Sequence, residues 1–173
     1  METSPFTNLT TDRLFLRDLR VEDAEEIFRL RSDESVNQFI DRQRAVNVAD
    51  AIEFIQKIQT LAENNGTMIW AITRIGEGKL IGTVLYWNIV KEKSQAELGY
   101  EMLPEYQGKG IMTEAVKKVI EFGFEELKYK TIVAEPNMRN MRSIHLLEKF
   151  KFKRTGQHGD DYWIYTLHRN AVG

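Results

Sequence analysis

Glu97-Leu-Gly-Tyr-Glu-Met-Leu-Pro-Glu-Tyr-Gln-Gly-Lys-Gly-Ile-Met-Thr-Glu-Ala115 reads as a β-strand that stops at Pro104 and passes through a glycine loop into a helix. Proline ends the strand because it has no N–H for a ladder. Gly108 and Gly110 let the backbone come close to a ligand. The helix start adds N–H groups without intrahelical partners and the positive end of a dipole. Such a turn is an anion site, and a pyrophosphate fits it.

Two familiar phosphate patterns fail here. A dinucleotide fingerprint needs G-x-G-x-x-G near the first strand, with an acidic residue about 20 positions on. Position 113 is Thr, and the loop lies past mid-chain. A nucleoside-triphosphate loop needs Lys and then Ser or Thr after its last glycine, whereas Gly110 is followed by Ile-Met.

Upstream of the quoted stretch, Leu14 to Leu19 reads as a strand. Asp23 to Arg31 reads as a helix, with Ala24, Ile27, Phe28 and Arg31 at helical spacing. Asn47, with Asp50 three residues later, resembles a capping arrangement before a helix over Ala51 to Leu61. Met68 to Ile75 and Leu80 to Ile89 are rich in β-formers and flank Gly76-Glu-Gly78-Lys, a hairpin signal. Lys91 to Ser94 is a polar turn before the strand Gln95 to Leu103.

Downstream, Ile111 to Leu127 sets Ala115, Val116, Val119, Ile120 and Phe124 on one broad face, as in a helix lying on a sheet. Thr131 to Ala134 reads as a short buried strand and Ser143 to Phe150 as a helix. Phe152 to Thr155 and Tyr162 to His168 flank a second hairpin, Gly156-Gln-His-Gly-Asp-Asp161. The order βαα, βββ, αβα, ββ predicts an α+β fold on a mainly antiparallel, twisted sheet. The three prolines, at 5, 104 and 136, fall at element edges.

The chain has 173 residues, 42% hydrophobic and 29% charged, which suits one domain over 1–173 with a real core. A net charge of −2 provides no general attraction to nucleic acid or membrane. There is no cysteine, hence no disulfide, no thiolate zinc ligand and no cysteine nucleophile. No apolar run reaches the roughly 18 residues of a membrane span. These features lead us to expect a cytoplasmic protein, monomer or homodimer, with no nucleic-acid or membrane partner. His145, His158 and His168 lack metal-ligand spacing, so no metal is expected.

Glu105-Tyr-Gln-Gly108-Lys-Gly110 resembles the acetyl-CoA-binding motif of the GNAT acetyltransferases, Gln/Arg-x-x-Gly-x-Gly/Ala, with Glu105 where Gln or Arg is usual. Leu9-Thr-Thr-Asp-Arg-Leu-Phe-Leu-Arg-Asp-Leu-Arg20, Ala96-Glu-Leu-Gly-Tyr100, and Asn140-Met-Arg-Ser143 with Leu146 to Phe152 resemble segments of the RimJ/RimL subgroup. The resemblance implies a GNAT-type sheet and acetyl-CoA as acetyl donor. It also implies an acceptor that is a primary amine, either a protein N-terminal α-amino group or a small amine. A non-catalytic acyl-CoA-binding module is the rival from another class.

Residue by residue, the resemblance implies that the glycine loop, Gln107, Gly108, Lys109, Gly110, Ile111 and Met112, holds the pyrophosphate. Pantetheine would lie in a gap beside the strand of Glu97, bonded to the main chain near Met102 and Leu103 and contacted by Asn140. Glu97 holds the position of a general base in some members; its alternative is a strand carboxylate paired with Lys or Arg. Glu101 is the reserve base, on the same face by strand alternation. Many members carry a tyrosine acid seven residues after the late Asn, which here is Leu147. Thiolate stabilisation then falls to Ser143, whose other reading is the N-cap of its helix. Trp70, Tyr86, Trp87, Tyr162, Trp163 and Tyr165 are expected mostly in the core, with one or two lining the acceptor cleft.

Overall fold

A computed structural model describes residues 6–171; Pro5 lies outside them. In chain order the elements are β1 (Leu9–Thr10), β2 (Leu14–Asp18), α1 (Ala24–Ser32), α2 (Glu34–Asn37), α3 (Val48–Asn65), β3 (Met68–Arg74), β4 (Gly82–Val90) and β5 (Gln95–Met102). There follow α4 (Ile111–Glu125), β6 (Thr131–Ala134), α5 (Met141–Lys149), β7 (Lys153–His158) and β8 (Tyr162–His168). Among the described residues the strands form one sheet of eight, ordered β1-β2-β3-β4-β5-β6-β8-β7. Every neighbouring pair is antiparallel except β5 and β6.

The two faces of the sheet carry different cores. α4 and α5 cover one face, where Ala96, Leu98 and Met102 of β5 meet Ile111, Ala115, Val116, Val119, Ile144 and Leu147. α1 and α3 cover the other, where Leu103, Ile69 and Ala71 meet Ile27, Leu30, Ala51 and Ile55. Strand alternation puts Glu97, Gly99 and Glu101 on this second face. Gly123 explains how closely α4 lies on the sheet. The Tyr86 hydroxyl donates to the Val119 carbonyl at 2.7 Å, in the space that a Cβ on residue 123 would take.

The parallel junction creates the opening that matters. β5 and β6 pair only at Gln95–Thr131, Ala96–Ile132 and Glu97–Val133, then diverge. β5 runs on to Met102 against β4 alone. The Leu103 N–H bonds the Ile81 carbonyl at 3.0 Å, and alternation turns the peptide groups of Glu101 and Gly99 the same way. Those of Tyr100 and Met102 therefore face the opening.

Four local expectations differ from the structure. The α5 helix begins at Met141 and is capped by Asn140, whose Oδ1 accepts from the Ser143 N–H at 3.2 Å; Ser143 is its third residue. The earlier start lets Ile144 and Leu147 both reach the core. The last hairpin turns at Gly159 (φ 61°), because β7 continues through Gly156, Gln157 and His158 past a register shift. Asn47 does cap α3, but Asp50 accepts from the Val46 N–H (2.8 Å) rather than from Asn47. The short elements β1 and α2 have too few residues for a period and were not anticipated.

Candidate active site

The glycine loop is built for an anion. Gly108 (φ 76°) and Gly110 (φ 77°) are both left-handed, a conformation that costs other residues about 1 kcal/mol or more. Glu114 is the first residue of α4 to bond back, to the Gly110 carbonyl at 3.1 Å, which leaves the preceding amides free of intrahelical partners. Ile111 is buried in the core and fixes the helix start, so its amide is the part left to offer. Met112 packs half-buried beside it. Arg13 reaches over from the β1–β2 turn. It donates to the Lys109 carbonyl at 3.1 Å and pairs with Glu114 at 2.8 Å, a carboxylate that also accepts from Thr11. Arg13, Lys109 and Arg142 thus put three cations around the loop, with Arg142 bonded to the Gln107 side chain.

Glu105, the departure from the usual motif, faces away from the loop. It pairs with Arg29 of α1 at 2.6 Å, which holds its carboxyl below the usual range. Its role is to tie the turn after β5 to α1. Gln107 points the other way, donating to the Met102 carbonyl at 2.9 Å. Met102 thus lies at the opening with its carbonyl already holding one bond. Leu103 is fully buried with its amide engaged in the sheet, so of the expected pair only Met102 presents an N–H to the gap.

Glu97 sits where β5 and β6 part. β4 bulges opposite it, the register slipping between Trp87 and Val90, and Asn88 (φ 45°) there donates to Glu97 Oε1 at 3.1 Å. On the other side stands Glu135, the residue after β6, which bonds His158 Nδ1 at 2.5 Å. Burial, with the neighbouring Glu135 carboxyl adding to it, pushes Glu97 up to about 8, against the opposing pull of the Asn88 amide. The alternative expectation, a Lys or Arg partner, is not met: among the described residues Glu97 forms no ion pair. Glu101 does, with Arg42 at 2.7 Å, and Arg42 also holds Asn37 at 2.7 Å. The reserve carboxylate is thereby engaged in anchoring the α2–α3 connection to β5. Trp87, opposite Glu97 in the register and 41% exposed, lines the same face, whereas Trp70 and Tyr86 are core.

On the opposite face, the Tyr100 hydroxyl lies 2.6 Å from Ser143 Oγ. Burial pushes the Tyr100 phenol up to about 12, so it stays protonated. Leu147 is fully buried in the core.

The order of elements, the parallel junction and the glycine loop can be set against known proteins. The family model described as "Acetyltransferase (GNAT) domain" matches residues 13–153. The chain belongs to the GNAT acetyltransferases. The Bacillus subtilis (strain 168) relative "Uncharacterized N-acetyltransferase YoaA" is 33% identical over 151 residues, 87% of this chain and 85% of that protein. The spermidine N(1)-acetyltransferase of Escherichia coli (strain K12) is 30% identical over 96 residues, 56% of this chain and 52% of that protein. The solved ribosomal-protein-S5-alanine acetyltransferase from Vibrio fischeri shares the fold at a TM-score of 0.81 and 22% identity, over 96% of this chain and 99% of that one.

This GNAT chain is an N-acetyltransferase, and enzymes of its family use acetyl-CoA. Among the described residues no helix is long and apolar enough to cross a membrane. Three residues at its cleft escaped sequence reasoning: Glu135, Asn88 and Tyr100. Only Tyr100 had a local signal, since it alternates with Glu97 and Glu101 on β5.

The revised cap has a measurable consequence. Asn140→Ala should lower stability by about 1 kcal/mol through the lost cap, while Ser143→Ala should lose only its bond to Tyr100, a loss that disappears in the Tyr100→Phe background. A loss in Ser143→Ala that persists in thermal melts of the Tyr100→Phe background would return the cap to Ser143.

Proposed function

We propose that this chain acetylates protein N-terminal α-amino groups, in the manner of the RimJ/RimL subgroup, by direct transfer from acetyl-CoA in a ternary complex. It would act in the cytoplasm as one domain over 1–173. The observation that carries this reading is the opening beside β5, with the half-buried carboxyls of Glu97 and Glu135 at its inner end and the glycine loop at its outer end.

In this reading Gln107, Gly108, Lys109, Gly110, Ile111 and Met112 hold the pyrophosphate through main-chain amides, aided by Arg13 and Arg142. Tyr100 and Met102 offer peptide groups to pantetheine, with Asn140 at the near end of α5. Acetyl-CoA supplies the thioester that the amine attacks. Ionised Glu97 takes the amine proton as the C–N bond forms; the C–S bond breaks and its electron pair leaves on sulfur beside Ser143. Glu135 and His158 give the proton a route onward to solvent.

Matching two titrations favours an α-amino acceptor. Transfer needs Glu97 ionised and the amine neutral together. With Glu97 near 8, an α-amino group (pKa about 8) meets both conditions just above neutral pH, whereas a lysine-like amine (about 10.4) is still almost wholly protonated. The likeness to a spermidine acetyltransferase supports a second reading, a polyamine drawn to the Glu97–Glu135 carboxyls.

CoA release measured with a panel of N-terminal peptides and polyamines separates them. We expect kcat/KM for the best peptide to exceed that for spermidine at least tenfold at pH 8. The reverse ranking would replace the first reading by the second.

A further inference from the structure

We infer that Tyr100 is a positioning residue for the departing sulfur, acting through the Ser143 hydroxyl. The inference rests on the transfer reading above. Tyr100 and Ser143 come from different elements, β5 and α5, and meet at 2.6 Å beside the stretch of β5 that β6 has left. The hydroxyl of Ser143 has no capping duty, because Asn140 caps the helix, its Oδ1 accepting from the Ser143 N–H. Leu147 offers no donor from the next turn of α5 and is sealed in the core.

A phenol that burial keeps protonated is a donor at any working pH. In this inference the Tyr100 O–H donates to Ser143 Oγ, the direction that commits one lone pair of the serine and leaves its single proton free to turn toward the opening. That proton then meets the sulfur as the C–S bond breaks. Donation from Tyr100 also polarises the serine O–H, so the second hydrogen bond is stronger than an isolated serine would make. No proton leaves either hydroxyl. The amine proton ends on Glu97, and the thiolate departs hydrogen-bonded to Ser143. The gain exists only where charge has developed on sulfur, so it belongs to kcat and not to acetyl-CoA binding.

Tyr100→Phe keeps the ring and removes only the hydroxyl. We expect kcat to fall about tenfold, with KM for acetyl-CoA and the melting temperature unchanged. Because both hydroxyls act as one chain, Tyr100→Phe in the Ser143→Ala background should cost no more than Ser143→Ala alone. Losses that multiply in the double variant would overturn the inference, as would an unchanged kcat or a fall in turnover matched by a fall in melting temperature. A wild-type protein that binds acetyl-CoA yet releases no CoA in the presence of any peptide or polyamine tried would instead sink the transfer reading, and this inference with it. Turnover by wild type that Tyr100→Phe leaves intact removes the inference alone.

Discussion

Glu97→Gln is expected to lower turnover about a hundredfold near pH 7, with acetyl-CoA affinity unchanged. Glutamine keeps the shape and the hydrogen bond with Asn88 but cannot take a proton. The pH profile carries the stronger test. Burial and Glu135 hold the Glu97 carboxyl at about 8, so in wild type the base form grows in as pH rises through 8. An α-amino acceptor loses its own proton over the same range, so Glu97→Gln should keep a lower and shallower rise that follows the free amine alone. An unchanged profile would leave Glu97 a structural residue and pass the role to water.

The same shift predicts an opposite effect on stability. A carboxyl at about 8 in the folded chain, against an ordinary 4.5, binds its proton more tightly folded than unfolded. Its contribution to stability is complete below pH 4.5 and is lost as pH rises through 8. The Gln variant, always neutral, should melt with wild type at pH 4 and above it at pH 9. The proposed base would thus be held at a cost to the fold in the pH range where it is ionised.

Gly110→Val should weaken acetyl-CoA binding at least thirtyfold, about 2 kcal/mol. Residue 110 has φ 77°, which a β-branched residue reaches only with strain of about 1–3 kcal/mol. A Cβ there would also lie 3.4 Å from Arg13 Nη2, pressing on the cation that reaches across the loop. Relaxing either contact turns the amides away from the pyrophosphate. Calorimetry on the folded variant that gives wild-type affinity would remove the glycine loop from the site.

The regular elements were legible because local pattern and burial agree in them. Ala115, Val116, Val119, Ile120 and Phe124 recur at helical spacing and are all buried. The glycine loop was legible because its chemistry is carried by backbone that only glycine permits. What stayed hidden depends on tertiary pairing. Glu135, in Ala-Glu-Pro, becomes the neighbour of Glu97 only through the parallel contact of β5 with β6. Asn88 sits in a run of β-formers, and nothing in Trp87-Asn-Ile-Val90 announces a bulge. Asn140 and Ser143 are both good caps, and the choice between them lies in how far Ile144 and Leu147 reach into the core. Tyr100 was read as one more strand residue because its partner comes from another element.

β5 also decides which reactant meets which side chain. Glu97, Gly99 and Glu101 look toward α1 and α3, while Leu98, Tyr100 and Met102 look toward α4 and α5. In the proposed reaction, proton removal and sulfur release then fall to odd and even positions of a single strand. A slip of one residue in its pairing would exchange the two, turning the carboxylate toward the thiol and the phenol toward the amine. If the proposed roles hold, the direction of the chemistry is a matter of parity, guarded by the register between β4 and β5.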